Sequence, residues 1–177
     1  MLEQLRVTYR RANGSRRDYD AFVVLLKESH QEHGARIPTY YGDNPRWVGY
    51  PKFAGLAYLQ GWGYKSAACF MAERVHDDPG CRGDIVGTVL LFAQKRGVYG
   101  WQRHEHCARV ENIVVAPDCR REGVGRALLE LGMEWAKESG HTACEATVNT
   151  GNEASNALFQ SAGFGHINNH YWRPLPL

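Results

Sequence analysis

What the chain lacks narrows its function first. Its uninterrupted apolar stretches, Ala21 to Leu26 among them, reach only six residues, against the ~20 that a membrane-spanning helix needs, so no membrane role is expected. Met1 to Arg6 shows neither the basic start nor the apolar stretch of a secretory signal. Lysine and arginine (21) barely outnumber aspartate and glutamate (19). The resulting net charge of +2, with no long basic run or basic–aromatic stripe, speaks against nucleic acid as a partner. The five cysteines, Cys69, Cys81, Cys107, Cys119 and Cys144, are odd in number and scattered, and no C-x-x-C pair occurs. They read as reduced thiols, the pattern of a cytoplasmic protein. In His104-Glu105-His106-Cys107 strand alternation would put both histidines on one side, but no second cluster supplies ligands at zinc spacing, so no metal is expected. Neither a G-x-x-x-x-G-K-[ST] loop nor a three-glycine dinucleotide fingerprint is present. Internal repeats and low-complexity tracts are absent too.

What is there amounts to one domain. A chain of 177 residues with 44% hydrophobic content can bury a single sizeable core. Leu5 to Ala12 alternates like a strand, and Asn13-Gly14-Ser15 punctuates it. A helix is expected from about Arg16 to His33, with Tyr19, Phe22, Val23 and Leu26 on one face and Gly34 ending it. Asn44 and Pro45 read as the cap and first residue of a second helix running through Phe53, Leu56 and Leu59 to Gly61. Strands follow at about Ser66–Val75 and Asp84–Ala93, then Cys107–Ala116, a helix, a strand at Thr142–Val148, a helix at Asn152–Ala162 and an extended piece from Phe164. The order β-α-α-β-β-β-α-β-α-β describes an α+β sandwich around a mixed sheet.

Residues 115–125 carry the most information. The β-branched run Ile113-Val114-Val115 stops at Pro117, which cannot continue a central strand. Two glycines, Gly123 and Gly125, follow two positions apart. Apolar residues then recur at Val124, Ala127, Leu128, Leu131 and Trp135, the rhythm of one helix face. Strand, glycine turn and helix together aim backbone N–H groups and the positive end of a helix dipole at one spot, a ready site for a phosphate. Arg120, Arg121 and Arg126 add charge beside it.

Arg120-Arg121-Glu122-Gly123-Val124-Gly125, preceded by Val115 to Cys119, resembles the R/Q-x-x-G-x-G/A signature of the GNAT acyltransferase superfamily. Asn152 to Phe164 is similar to that family's downstream N-x-x-A-x-x-L-Y-x-x-x-G-F, in the same order and at the usual separation. The resemblance implies one GNAT-like acetyltransferase domain over residues 1–177, a three-layer α/β/α sandwich around a mixed, mostly antiparallel sheet. It implies acetyl-CoA as acyl donor, with pantetheine along Ile113, Val114 and Val115 and pyrophosphate on the amides from Arg121 to Arg126. A Cβ at Gly123 or Gly125 would hold the phosphate away from those amides. Glu122 is unusual there and is expected to point outward. Asn152 matches the asparagine that holds pantetheine, and it reads equally as a helix cap.

Acyl transfer requires a neutral amine, whereas alkyl amines have pKa values of about 10, so a base must take a proton. Glu111 is the candidate, because alternation would place it on the face of Ile113 and Val115; a strand-end carboxylate paired with Arg109 is the other reading. The family's usual acid is a tyrosine. Here the position is Phe159, whose ring can pack on the cofactor but cannot donate, leaving Tyr171, Ser155, Cys144 or water. Thr147 stands where ribosomal-protein N-terminal acetylases carry a glutamate, which argues against that subfamily. The aromatic residues Tyr40, Tyr41, Trp47, Tyr50, Phe53, Tyr58, Trp62 and Tyr64 occupy the region that lines the family's acceptor pocket. The expectation is therefore direct transfer, in a ternary complex, to a primary amine of a small molecule. The alternatives are a protein lysine or N-terminus, an aminoglycoside-type antibiotic, or a catalytically weak acyl-CoA sensor. The tail closes in Arg173-Pro174-Leu175-Pro176-Leu177 with no room for the family's last strand, and the uncovered edge points to a homodimer.

Overall fold

The computed structural model describes residues 6–36, 67–76, 83–94, 106–149 and 151–167. The expected helix at Asn44 and Pro45, the aromatic residues from Tyr40 to Tyr64, Cys81, His104, Glu105 and the tail with Tyr171 lie outside them.

Polar residues set the entry into the first helix. Asn13 Oδ1 accepts from the Ser15 amide at 3.0 Å, and Ser15 Oγ accepts from the Asp18 amide at 3.2 Å. These bonds satisfy donors that a helix start leaves open. Strand β1 (Val7–Arg11) thus leads into helix α1 (Arg16–Arg36). The helix does not stop at Gly34 as expected. Gly34 keeps a negative φ, and the helix continues to Arg36, where Glu32 and Arg36 pair one turn apart at 3.2 Å.

Strands β2 (Ala67–Arg74), β3 (Ile85–Gln94) and β4 (Cys107–Val115) follow, then a 3-10 turn at Pro117–Cys119, helix α2 (Val124–Glu138), strand β5 (Ala143–Ala146) and helix α3 (Glu153–Ser161). The sheet order is β1-β2-β3-β4-β5. The first three pairings are antiparallel and β4–β5 is parallel. This is the expected α+β arrangement around a mixed, mostly antiparallel sheet.

Alternation divides the strands between two cores. Phe22, Leu25 and Leu26 of α1 pack on Cys69, Met71, Leu90 and Val114. Val124, Leu128, Leu129, Trp135 and Ala136 of α2, with Phe159 of α3, pack on Ala68, Val89, Leu91, Ala108 and Val110 from the opposite face. Each fully buried large apolar side chain contributes about 1.5–3 kcal/mol. Helix α2 lies close to the sheet because Gly132 has no side chain: a Cβ there would meet Leu91 Cδ1 at 2.7 Å.

A charged network fastens β1, α1 and β2 together. Arg10 makes two bonds to the fully buried Asp18, at 2.9 and 2.7 Å, and a third to Glu73 at 2.9 Å. Glu73 also accepts from Arg17 at 2.8 Å. Burial pushes the Asp18 carboxyl up, but the Arg10 bonds and the Asn13 amide outweigh it and hold the group below its ordinary value. Bonding to Arg17, against some burial, lowers Glu73 likewise. Depressed carboxylates stabilise the fold fully above about pH 4, their unfolded range, and lose that contribution as pH falls through the folded values. Asp18→Asn is expected to cost about 3 kcal/mol, the low end for breaking a buried pair, since Arg10 remains 31% exposed. Urea unfolding at a series of pH values checks this: the wild type should lose stability between neutral and acid pH more steeply than the variant.

Candidate active site

One residue too many in β4 shapes the centre of the sheet. In the β3–β4 register Leu90 faces Asn112 and Leu91 faces Val110, so Glu111 has no opposite number. This bulge resets the alternation. Ala108 and Val110 face α2, as do Ile113 and Val115 beyond the bulge, whereas Val114 lies in the α1 core. Glu111 does not share the face of Ile113 and Val115, which corrects the expectation from simple alternation. It lies instead with Arg109 on the α1 side, where Arg109 Nε is 3.3 Å from Glu111 Oε2.

The parallel ladder between β4 and β5 runs from Cys107↔Ala143 to Val110↔Ala146 and ends there. From Glu111 to Val115, β4 keeps β3 on one side and has no strand partner on the other among the described residues. The two strands form a fork, and β4 offers an open backbone edge inside it. Such an edge accepts an extended ligand as an added strand. The expected pantetheine contacts Ile113, Val114 and Val115 all lie on this edge.

Beyond Val115 the chain turns into α2. Arg121 (φ +69°) and Gly123 (φ +81°) both adopt left-handed backbone, and Gly123 is the helix cap without any side-chain cap bond. No acidic residue occupies the first turn of α2. The leading amides of Val124, Gly125 and Arg126 are therefore available to an anion at the positive end of the helix. Glu122 is exposed, as expected. The two glycines differ in their reason. Gly123 is required by its φ, while a Cβ at Gly125 would only touch Leu158 Cδ2 and Val115 Cγ2, each at 3.6 Å. Those contacts place the end of β4, the start of α2 and the body of α3 side by side.

The arginines are less available than expected. Arg120 Nε donates to the Val115 carbonyl at 2.9 Å, and Arg120 Nη2 reaches Glu32 Oε1 of α1 at 2.6 Å. The guanidinium holds the turn against α1 instead of standing free beside the amides. Arg126 pairs with Glu130 at 2.9 Å. Arg121 is exposed and has no ion-pair partner among the described residues.

Asn152 caps α3, accepting from the Ser155 amide at 3.3 Å, and is 9% exposed. Phe159 is 7% exposed and stacks edge-on against Phe164 at 5.0 Å between ring centroids. It is first a core residue, with little ring left to meet a cofactor. Burial pushes the Cys144 thiol up to about 12, and Cys144 packs toward α2, so it is poorly suited as the acid. Ser155 lies in the first turn of α3. Among the described residues, no three His, Cys, Asp or Glu side chains gather to hold a metal, and no helix is long and apolar enough to cross a membrane.

The sequence of residues 20–164 matches the acetyltransferase (GNAT) family model. The chain belongs to the GNAT acetyltransferase family. Its donor is acetyl-CoA, and the open β4 edge beside uncapped helix amides suits a long ligand ending in phosphates. No curated protein matches the sequence. Solved structures share the GNAT fold. A mutant form of the BH1408 protein from Bacillus halodurans superposes with a TM-score of 0.75 at 16% identity, over 96% of this chain and 99% of that one. The aminoglycoside N-acetyltransferase AAC(6')-Iy in complex with CoA gives 0.69 at 18%, over 100% and 99%. A ribosomal-protein-alanine N-acetyltransferase from Brucella melitensis biovar Abortus 2308 gives 0.61 at 18%, over 97% and 100%.

Three further polar residues around the fork and the turn were not evident from sequence. Glu32 meets Arg120 across 88 positions, which no local pattern encodes. Asn112 follows the bulge, and Glu145 lies beside Arg109 in the β4–β5 register. Only Glu145 had a signal, two residues before Thr147 on the same strand face. The contrast between the glycines yields a test. Gly125→Ala is expected to melt within a few degrees of wild type, whereas Gly125→Leu should weaken acetyl-CoA at least about tenfold by filling the space before the amides. Calorimetric titration with acetyl-CoA checks it, and unchanged affinity in the leucine variant would remove the anion role of this turn.

Proposed function

We propose that the chain transfers the acetyl group of acetyl-CoA to a primary amine of a small molecule, by direct attack within a ternary complex. The observation that carries this reading is the fork, where an open strand edge, a turn of free amides and a carboxylate stand in one line. In this reading Ile113, Val114 and Val115 hold the pantetheine through backbone groups. The amides from Arg121 to Arg126, namely those of Arg121, Glu122, Gly123, Val124, Gly125 and Arg126, hold the pyrophosphate. Arg120 keeps the turn in shape by its bonds to Val115 and Glu32, and Asn152 closes the far side from the start of α3. When bound, acetyl-CoA supplies an activated thioester beside the β4 bulge.

Glu111 takes the proton from the attacking amine, directly or through one water. Two features favour it. It stands at the point of β4 where the ladder to β5 ends, and the ion pair with Arg109 at 3.3 Å holds its carboxylate in place. Proton return to the departing thiolate falls to water or to Tyr171, since Phe159 has no hydroxyl. A small acceptor is favoured over a ribosomal-protein N-terminus because Thr147, bonded to Arg109 at 3.5 Å, replaces the glutamate of those acetylases. The structural neighbours include aminoglycoside N-acetyltransferases, named for small-molecule amine acceptors, which supports the same class.

Glu111→Gln is expected to lower kcat about 10²–10⁴-fold, the usual worth of a general base, with acetyl-CoA affinity unchanged. Thiol release from acetyl-CoA over a panel of small amines and peptides measures both the reaction and the acceptor class. A variant that keeps its turnover assigns the base to another group, and activity confined to peptides replaces the small-molecule acceptor.

A further inference from the structure

The α1-facing side of the fork carries a polar patch whose hydrogen bonding is incomplete. Strand neighbours Arg109 and Glu145 lie in register. Cys144 and Ala146 pack toward α2, so Glu145 between them faces the other way, with Arg109, Glu111 and Thr147. Arg109 Nε is 3.3 Å from Glu111 Oε2 in an ion pair but makes no hydrogen bond, and Arg109 Nη2 meets Thr147 at 3.5 Å. Glu145 Oε1 is buried and has no hydrogen-bond partner, and Asn112 Nδ2 on the bulge is in the same state. A buried polar atom without a partner costs about 1–3 kcal/mol, more when charged, so an orphaned acceptor and an orphaned donor in one patch mark a place where a ligand completes the bonding. The charges agree. Arg109 pairs with Glu111, and no ion pair joins Glu145 to a cation among the described residues.

We propose that Glu145 is the acceptor-binding residue of this site and that it selects amines arriving as cations, its carboxylate receiving the ammonium group next to the bulge. This deepens the small-amine reading and rests on it. Glu145 then sets affinity for the acceptor, while Glu111 sets the rate of proton removal. The two carboxylates divide the work: one binds the charged form, the other accepts the proton that must leave before attack. Asn112 Nδ2 gains its missing partner from an oxygen on the same acceptor, so amines bearing a hydroxyl or carbonyl group fit the patch better than plain alkyl amines.

The test uses paired acceptors of similar size, alkyl primary amines that are protonated at pH 7 and aryl amines that are neutral there. Glu145→Gln is expected to raise KM for the alkyl amines by about 10–100-fold, the scale of a lost charge-assisted bond. It should leave kcat, the aryl-amine KM and acetyl-CoA affinity within about twofold, and Glu145→Asp should recover part of the alkyl-amine affinity. Calorimetric binding of the same amines to the protein–CoA complex reads the preference without turnover. An equal loss for both amine classes makes Glu145 a structural carboxylate and overturns the proposal, as does an unchanged KM for the alkyl amines. If the wild type acetylates peptides and no small amine of either class, the parent reading fails with it. Activity on small amines without charge discrimination removes this inference alone.

Discussion

The site depends on a break in strand alternation. Before Glu111, β4 is an ordinary sheet strand, paired on both sides and sending Ala108 and Val110 into the α2 core. The extra residue returns Ile113 and Val115 to that same core and leaves Glu111 beside Arg109 on the α1 side. At the same point the ladder to β5 ends. One inserted residue thus produces a carboxylate on one face, an intact core on the other and an open edge between. Without the bulge, either the core residues beyond Val110 would face α1 or Glu111 would be buried under α2.

The glycine turn depends on the same strand. Arg120 reaches back to the Val115 carbonyl, the last of β4, and onward to Glu32 on α1. An arginine expected to meet an anion therefore serves first to fix where the strand stops and the helix begins. Its charge is offset by Glu32, so what the turn offers an anion is backbone amides and the helix dipole, with Arg121 as an exposed cation that has no ion-pair partner among the described residues. Backbone donors are held by the fold and need little ordering when a ligand arrives, whereas a long exposed side chain would lose rotamer freedom.

Much of this was legible in the residues. Pro117, Gly123, Gly125 and the helical rhythm from Val124 located the turn, and the expected bounds of the five described strands lie within two residues of those observed. The cap role of Asn152 followed from its residue type, and the core place of Phe22 and Leu26 from spacing. Sequence reasoning failed where geometry is non-local. A bulge has no signature in Arg109-Val110-Glu111-Asn112, because it is a property of pairing with β3 and not of β4 alone. The Glu32 partner of Arg120 and the Glu73 partner of Arg10 are equally hidden, 88 and 63 positions away. Gly34 was read as a stop because glycine often ends helices, yet its neighbours Glu32 and Arg36 carry the helix past it, an instance of local propensity yielding to side-chain pairing.

The shortness of the β4–β5 ladder has a mechanical side. The antiparallel body from β1 to β4 is joined along whole strands, but β5 holds on through four register pairs and the packing of α2 and α3. Each hydrogen bond in such a ladder adds only about 0.5–1.5 kcal/mol net. Among the described strands the seam beside the fork is the shortest, while Glu111 belongs to the half joined along whole strands. The two sides of the cleft thus differ in how firmly the sheet ties them.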